Sequence, residues 1–495
     1  MELLQNEYER YALLLQTEQG REETGAVIVP DTQPDVYGVL SVNAVCQIRQ
    51  KTVREGAVVL EGVIEAEALC VTEEEGRCSF VRGSLPFSQE YALPGCGEGA
   101  VAETELTVLR AEAQLRNPRK LQFQIQTSAA VQLYQRQPLH ITESVAAQPE
   151  EGIEVLTENE ELTVLCCVAE KKLVAADEIR LEQSGHLLRC ESEWQQEELR
   201  VLANKVMLRG ELSLNAVFLQ DDETISREIR IPYSQVLECD GVQPGDEAEA
   251  AYQTLQLQTG ILEGEIPILS CSATGNVRVR VSRRLRVNVV RDLYSTRWET
   301  AATVETVRCP VYCTIERQIP VSEEFSADEP AARVADCAWQ ARGGVEEGGR
   351  LCGVYYFRIL YRCAEGRLHV CERTVRVTAE EPAEAADLFC RAGLQRLSVT
   401  ASADGQLCLR FTAVLQAVGA REQACRQVAA CTIDREKPRS LPAPGTLVLR
   451  SAAAGETVWS IARSYGARVE EILSANRLQS AELTPGRLIM IPFTR

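Results

Sequence analysis

The sequence predicts a mainly β protein: tandem antiparallel β-sandwich-like units followed by a small βααβ module. Three observations lead there. Long stretches alternate apolar and polar residues, as Leu121, Phe123 and Ile125 do with glutamines, and period two over such lengths marks half-buried antiparallel strands. Two motifs recur. Val58-Val59-Leu60-Glu61-Gly62 returns 148 residues later as Val206-Met207-Leu208-Arg209-Gly210, and Leu85-Pro86-Phe87-Ser88-Gln89 returns 146 later as Ile231-Pro232-Tyr233-Ser234-Gln235, as duplicated domains with small loop changes would. Helical spacing is clear only near the C-terminus.

Taken in order, Leu3, Leu4, Tyr8, Leu13 and Leu14 suggest a short amphipathic helix within residues 1–25, packed on the body. The first β unit is expected over 26–145 and the second over 146–300. In the second, Val277, Val279 and Val281 alternate with Arg or Ser. A divergent third unit is expected over 301–437. Its repeat begins near Gly349-Arg350-Leu351-Cys352-Gly353, 143 residues after the second, and Leu407, Leu409, Phe411, Ala413 and Leu415 alternate near its end. Each unit falls within the usual domain size. Glu73-Glu74-Glu75-Gly76 and Asp221-Asp222-Glu223 punctuate the strands as hairpin turns, and Asp246 to Gln258 is a candidate helix between strands.

Pro442 and Pro444 mark an exposed linker over 438–447. In the last module, 448–495, Thr457 can cap a helix whose apolar residues Val458, Ile461, Ala462 and Tyr465 share one face. Gly466 supplies its left-handed stop. Val469, Ile472 and Leu473 mark a second helix, with Glu470 and Glu471 in its positively polarised first turn. Pro485-Gly486 is a turn, and Ile489 and Ile491 lie on one face of a closing strand.

At 495 residues the chain can bury several cores, and with only 5% aromatic residues those cores should be aliphatic. A net charge of −20 argues against nucleic acid or an anionic membrane as partner. The last fifty residues differ: six Arg against four Glu make them a mildly basic tip on an acidic body. No signal peptide is expected from the acidic start, and no segment is long enough to span a bilayer. Nineteen cysteines, odd in number, without a CxxC and set among aliphatic residues, read as buried free thiols. Cys166-Cys167 and Cys309-x-x-x-Cys313 are the only close pairs, and no metal site is expected. His140, His186 and His369 have no ligand spacing, and GxSxG, GxxxxGK and HExxH are absent. Gly95-Cys96-Gly97-Glu98-Gly99 lacks a cationic phosphate ligand and reads as a hairpin tip. Neither catalysis nor a cofactor is expected.

The stretch from Ala454-Gly455-Glu456-Thr457-Val458-Trp459 through Ala475-Asn476-Arg477-Leu478 to Leu483-Thr484-Pro485-Gly486 resembles a LysM domain, a fold best known for binding N-acetylglucosamine chains. The resemblance implies a groove formed by Gly455, Glu456, Thr457 and Val458 in one loop and Asn476, Arg477, Leu478 and Gln479 in the other. It also implies apolar residues where Arg450 and Ala452 stand, and Thr or Ser where Arg468 opens the second helix. In the first unit, Val29-Pro30-Asp31-Thr32-Gln33-Pro34-Asp35-Val36 and Asn117-Pro118-Arg119-Lys120 look like the motifs of SPOCS domains, found in endospore-forming Firmicutes. Several such units before one LysM resemble the SipL-like spore-coat morphogenetic family.

That resemblance implies a non-enzymatic cytoplasmic scaffold of the mother cell. It would dock coat proteins at the forespore surface, its LysM recognising the coat basement-layer ATPase. The alternative is a wall-associated protein whose LysM binds N-acetylglucosamine-containing glycan in peptidoglycan.

Overall fold

The computed structural model describes residues 1–72, 78–97, 99–181, 186–220, 223–262, 264, 266–380, 386–443, 445–478, 480 and 482–493. The expected turns at 73–76 and 221–222, together with Glu98, Pro444 and Gln479, lie outside these residues.

Eighteen strands form three copies of one six-stranded unit. The first holds β1 (Glu2–Ile28), β2 (Val36–Arg54), β3 (Ala57–Thr72), β4 (Cys78–Ala92), β5 (Val101–Asn117) and β6 (Lys120–Ala146). The second holds β7 (Ile153–Arg180), β8 (His186–Leu202), β9 (Lys205–Gln220), β10 (Glu223–Glu238), β11 (Glu247–Leu262) and β12 (Ile268–Ser295). The third holds β13 (Trp298–Phe325), β14 (Ala331–Val345), β15 (Leu351–Cys363), β16 (Leu368–Ala379), β17 (Ala386–Ala401) and β18 (Leu407–Pro438). In each unit the second to fourth strands form an antiparallel meander. The last strand lies between the first and the fifth in a facing sheet, giving β1-β6-β5, β11-β12-β7 and β13-β18-β17.

The recurring glycines have a common cause in the first two units. A Cβ on Gly62 would strike the carbonyl oxygen of Gln47 and the ring of Phe87, and one on Gly210 would strike the carbonyl of Gln195 and the hydroxyl of Tyr233. Phe87 and Tyr233 are the aromatics of the second recurring motif, paired in register with these glycines. A register shift sits beside each glycine, at Ile48/Gln50 and Gln196/Glu198. The two motifs are therefore one feature: a bulged strand crossing close over a glycine, with a ring beneath.

Two expected helices are strands. Residues 2–25 lie in β1, which pairs with β6 from Glu2↔Ala146 to Ile28↔Lys120. Periodicity among a few apolar residues lost to a full ladder with a long partner strand, a non-local gain that no local pattern displays. Asp246 to Gln258 likewise falls almost wholly in β11, paired with β12.

The first and last strands of each unit outrun its sandwich. β5 accompanies β6 only as far as Tyr134, β11 accompanies β12 to Ser282, and β17 accompanies β18 to Ala420. Beyond those points each unit continues as a two-stranded ribbon, and the three ribbons pack on one another. One shared core joins Leu139 and Ile141 of the first unit, Leu162, Val164, Val287 and Val289 of the second, and Cys309 and Cys425 of the third. Another joins Tyr134 to Leu165, Val168 and Tyr312. The buried cysteines there act as small hydrophobes.

Side chains of β18 complete the hydrogen bonding along the neighbouring ribbons. Gln427, fully buried, accepts from the Thr142 N–H at 2.8 Å and donates to the His140 carbonyl at 2.9 Å and to Glu305 at 2.7 Å. Four residues earlier, Gln423 accepts from the Thr163 N–H at 3.1 Å and donates to the Glu161 carbonyl. One strand of the third unit thus serves main-chain groups of both others. Gln427→Leu should leave a buried N–H and C=O without partners and cost about 2–4 kcal/mol, read as a lower denaturant midpoint.

A second link titrates. Glu151, in the short 3₁₀ turn Pro149–Glu151 between the first two units, is buried and pairs with Arg435 of β18. The Arg435 guanidinium, the Gln148 N–H and the Met1 ammonium hold its carboxyl down at about 2. A depressed carboxylate stabilises the fold fully above the ordinary range near 4.5. That contribution fades as pH falls toward 2. Acid unfolding curves should show a loss of stability between about pH 4.5 and 2 that Glu151→Gln flattens.

Candidate functional site: the C-terminal module and its seat

Residues 447–493 form the βααβ module: β19 (Leu447–Ser451), α1 (Val458–Tyr465), α2 (Val469–Asn476) and β20 (Leu488–Pro492). Thr457 caps α1, its hydroxyl accepting from the Ser460 N–H at 3.2 Å while the Ser460 hydroxyl accepts from the Thr457 N–H at 3.1 Å. Gly466 ends α1 at φ +66°, a left-handed conformation that costs glycine nothing. Val458, Ile461, Ala462, Ile472, Ile489 and Ile491 fill the core.

The eight groove residues divide. Gly455 turns at φ +81° with open space about it. Glu456 is bound inward, pairing with Arg450 and accepting from the Ala453 N–H at 2.8 Å. Thr457 is committed to its cap. Val458 is fully buried and offers no surface to a ligand; its place at the helix start puts it under the loop, inside the core. Asn476 bridges α2 to β20, donating to the carbonyls of Ile472 at 2.8 Å and Met490 at 2.6 Å and accepting from the Met490 N–H at 2.7 Å. Arg477, at φ +52°, ends α2 with its side chain exposed, and Leu478 packs half-buried against the core. Accessible rim is thus supplied by Gly455 and Arg477, with part of Leu478.

Sequence reasoning missed the outer face of the β19–β20 sheet. Leu447, Leu449 and Leu488 are 54%, 62% and 67% exposed, on the side opposite Ile489 and Ile491. The signal was there: Leu-Val-Leu at 447–449 must turn both leucines to one face.

The module is seated on the second unit. Tyr294, fully buried, belongs to the module's core, donates to the Ala467 carbonyl at 2.7 Å and meets Trp459 edge-on at 5.0 Å. Asp292 accepts from the Trp459 indole N–H at 2.8 Å and pairs with Arg463 at 2.6 Å. Arg468 provides no side-chain cap for α2. Glu154 of β7 lies beside the start of α2: the Val469 N–H favours its charged form, but burial outweighs this and pushes its carboxyl up. Arg450, where the family favours an apolar residue, pairs with Glu456 and lies 5.8 Å over the Tyr465 ring. The expected exposed linker is tied down as well. The Arg439 N–H donates to the Arg297 carbonyl at 2.9 Å and its guanidinium to the Arg463 carbonyl at 2.8 Å, while Leu441 packs on the module's core.

At the tip of the first unit, two stretches that carried the family resemblance meet. The Arg119 guanidinium donates to the carbonyls of Gln33 at 2.7 Å and Pro30 at 3.2 Å, to Asp35 at 3.2 Å and to Asp31 at 2.9 Å. One fork thus shapes the loop between β1 and β2.

A model described as "SipL, SPOCS domain" matches residues 35–116 and 185–262, the inner strands of the first two units. A LysM domain model matches 453–492. The chain has a SipL-like architecture. The third unit repeats the topology of the other two. "Uncharacterized protein YkzQ" of Bacillus subtilis (strain 168) is 32% identical over 57 residues, covering 12% of this chain and 76% of that protein. No solved structure matches the chain.

The SPOCS and LysM domains of this SipL-like chain are binding domains without catalytic function. Among the described residues no three His, Cys, Asp or Glu cluster as a metal site, no cysteine is cross-linked, and no helix is long and apolar enough to cross a membrane. Burial pushes the Cys46 thiol up to about 12 and those of Cys166, Cys271 and Cys390 to about 11, leaving them poor nucleophiles.

Asp292→Ala removes both polar anchors of α1 at once. Hydrogen exchange should rise across residues 439–476 in this variant while the ribbons stay protected, and brief proteolysis should cut near 440. Unchanged protection would show that the Tyr294 contact alone seats the module.

Proposed function

We propose that this SipL-like chain is a non-enzymatic scaffold of endospore coat morphogenesis. It acts in the mother-cell cytoplasm, docking coat proteins at the forespore surface through its SPOCS units and LysM domain. One observation carries the reading: the LysM domain is locked onto a rigid three-unit body by Tyr294 and Asp292. An anchor on a flexible tether needs no such seat, whereas a scaffold must hold its docking surfaces in fixed relation. The partner-facing surface comprises the groove rim at Gly455, Arg477 and Leu478 and the exposed leucines 447, 449 and 488. Exposed apolar side chains grouped on so small a domain are typical of protein docking. The coat basement-layer ATPase that SipL-like proteins recognise is the partner this reading assigns.

The test compares that ATPase, purified, with purified peptidoglycan as ligands of the full-length protein. Arg477→Glu reverses a charge at the rim without touching the core. ATPase capture should fall at least tenfold in this variant, with an unchanged thermal midpoint, and sedimentation with peptidoglycan should stay at background for both proteins. Peptidoglycan binding that Arg477→Glu abolishes would replace the scaffold reading with wall anchoring.

A further inference from the structure

The first and third units enclose a groove of about 440 Å³ far from the LysM domain. Its floor is the outer face of the β14-β15-β16 sheet. There Gln340, Tyr356 and Thr374 stand in register across the three strands, so amide, ring and hydroxyl share one face, each about 5 Å from the next. The opposite wall comes from the first unit and includes Asn43 of β2 and Gln126 of β6. Tyr356 is 45% exposed, its ring open to the groove.

Charge decides what chemistry the groove suits. Four arginines line it, but each already has a carboxylate partner: Arg110 with Glu112, Arg342 with Glu18 at 3.6 Å, Arg358 with Glu372 at 2.7 Å and Arg373 with Glu323 at 2.8 Å. The cations of the groove are therefore already paired, which leaves its neutral groups to recognise a ligand. The neutral groups are in the opposite condition. Asn43, Gln126, Gln340, Tyr356 and Thr374 make no side-chain hydrogen bond within the described residues. Amides and hydroxyls that both donate and accept, set around an exposed aromatic face, match a ligand with many hydroxyls and an apolar C–H face.

We propose that the groove between the first and third units binds a neutral oligosaccharide, one sugar ring stacked on Tyr356 and its hydroxyls held by Gln340, Thr374, Asn43 and Gln126. The volume is within the range of small-ligand sites and holds a segment of a few sugars. Because Arg358 donates to the Val42 carbonyl at 3.2 Å across the groove, floor and wall are fixed relative to one another before any ligand arrives. This site is separate from the LysM groove, so either assignment can fail without the other.

Isothermal titration of the full-length protein with cellohexaose and with chitohexaose tests it. At least one should bind saturably, and Tyr356→Ala should weaken that binding at least tenfold. The ring is exposed, so the variant should keep its thermal midpoint; Gln340→Ala should weaken binding in the same direction. Binding of neither sugar would overturn the proposal. So would binding that Tyr356→Ala leaves intact and Arg477→Glu removes, which would place the sugar on the LysM domain. If both sugars are ignored while Tyr356→Ala abolishes capture of a purified protein partner, the groove is a peptide site and the proposal fails.

Discussion

The structure depends on how the three ribbons meet. A two-stranded ribbon has two open edges, and packing three ribbons buries main-chain N–H and C=O groups that no further strand can reach. Such groups cost free energy unless they find partners. The amides of Gln427 and Gln423 supply them, each setting an N–H donor and a carbonyl acceptor against main-chain groups. Both lie on β18, so the last strand of the third unit closes the edges of the first and the second. Apolar packing alone would hold the ribbons together without fixing their register; the two glutamines fix it.

Charge at the junction of the units follows the same rule. Glu103 of β5 is buried, yet its carboxyl is held below the usual range: burial opposes ionisation, and Arg280 and Arg278 of β12 outweigh it. Arg391 of β17, facing Glu105, is lowered too, in its case against the charged form. Burial draws its guanidinium down to about 10. The three units therefore share buried ions as well as buried apolar surface, and a pair of this kind specifies one arrangement more than it adds net stability. The unit boundaries are not places where the chain is free to hinge.

That rigidity gives the LysM seat its meaning. Tyr294 and Asp292 end β12, which is also the central strand of the second unit's sheet and one half of its ribbon. The module is thus fixed to a strand paired along its whole length. Trp459 and Arg463 of α1 find their polar partner in Asp292 of β12, so part of the local chemistry of a small domain has been handed to its neighbour. The module's outer leucines and the groove rim are left as its available surface.

The sequence by itself determined the local elements. Alternation along 121–125, 277–281 and 407–415 gave the strands, the recurring glycine and ring motifs gave the repeat, and Thr457 and Gly466 gave the ends of a helix, because each rests on interactions within a strand, a turn or a neighbouring pair. Residues 1–25 and 246–258 were misread as helices because their ladders with β6 and β12 pair them with residues elsewhere in the chain, from Glu2↔Ala146 to Gly25↔Phe123 and from Glu247↔Ser282 to Gln258↔Ser272. Of the groove, sequence found the loops and not their use: Val458 and Asn476 look like rim residues until the core closes over the first and β20 binds the second. Tertiary structure alone decided that Gln427 serves the first unit, that Asp292 and Tyr294 hold the module, and that Tyr356 faces Asn43 across a groove. Those meetings join residues from different units, and no spacing along the chain encodes them.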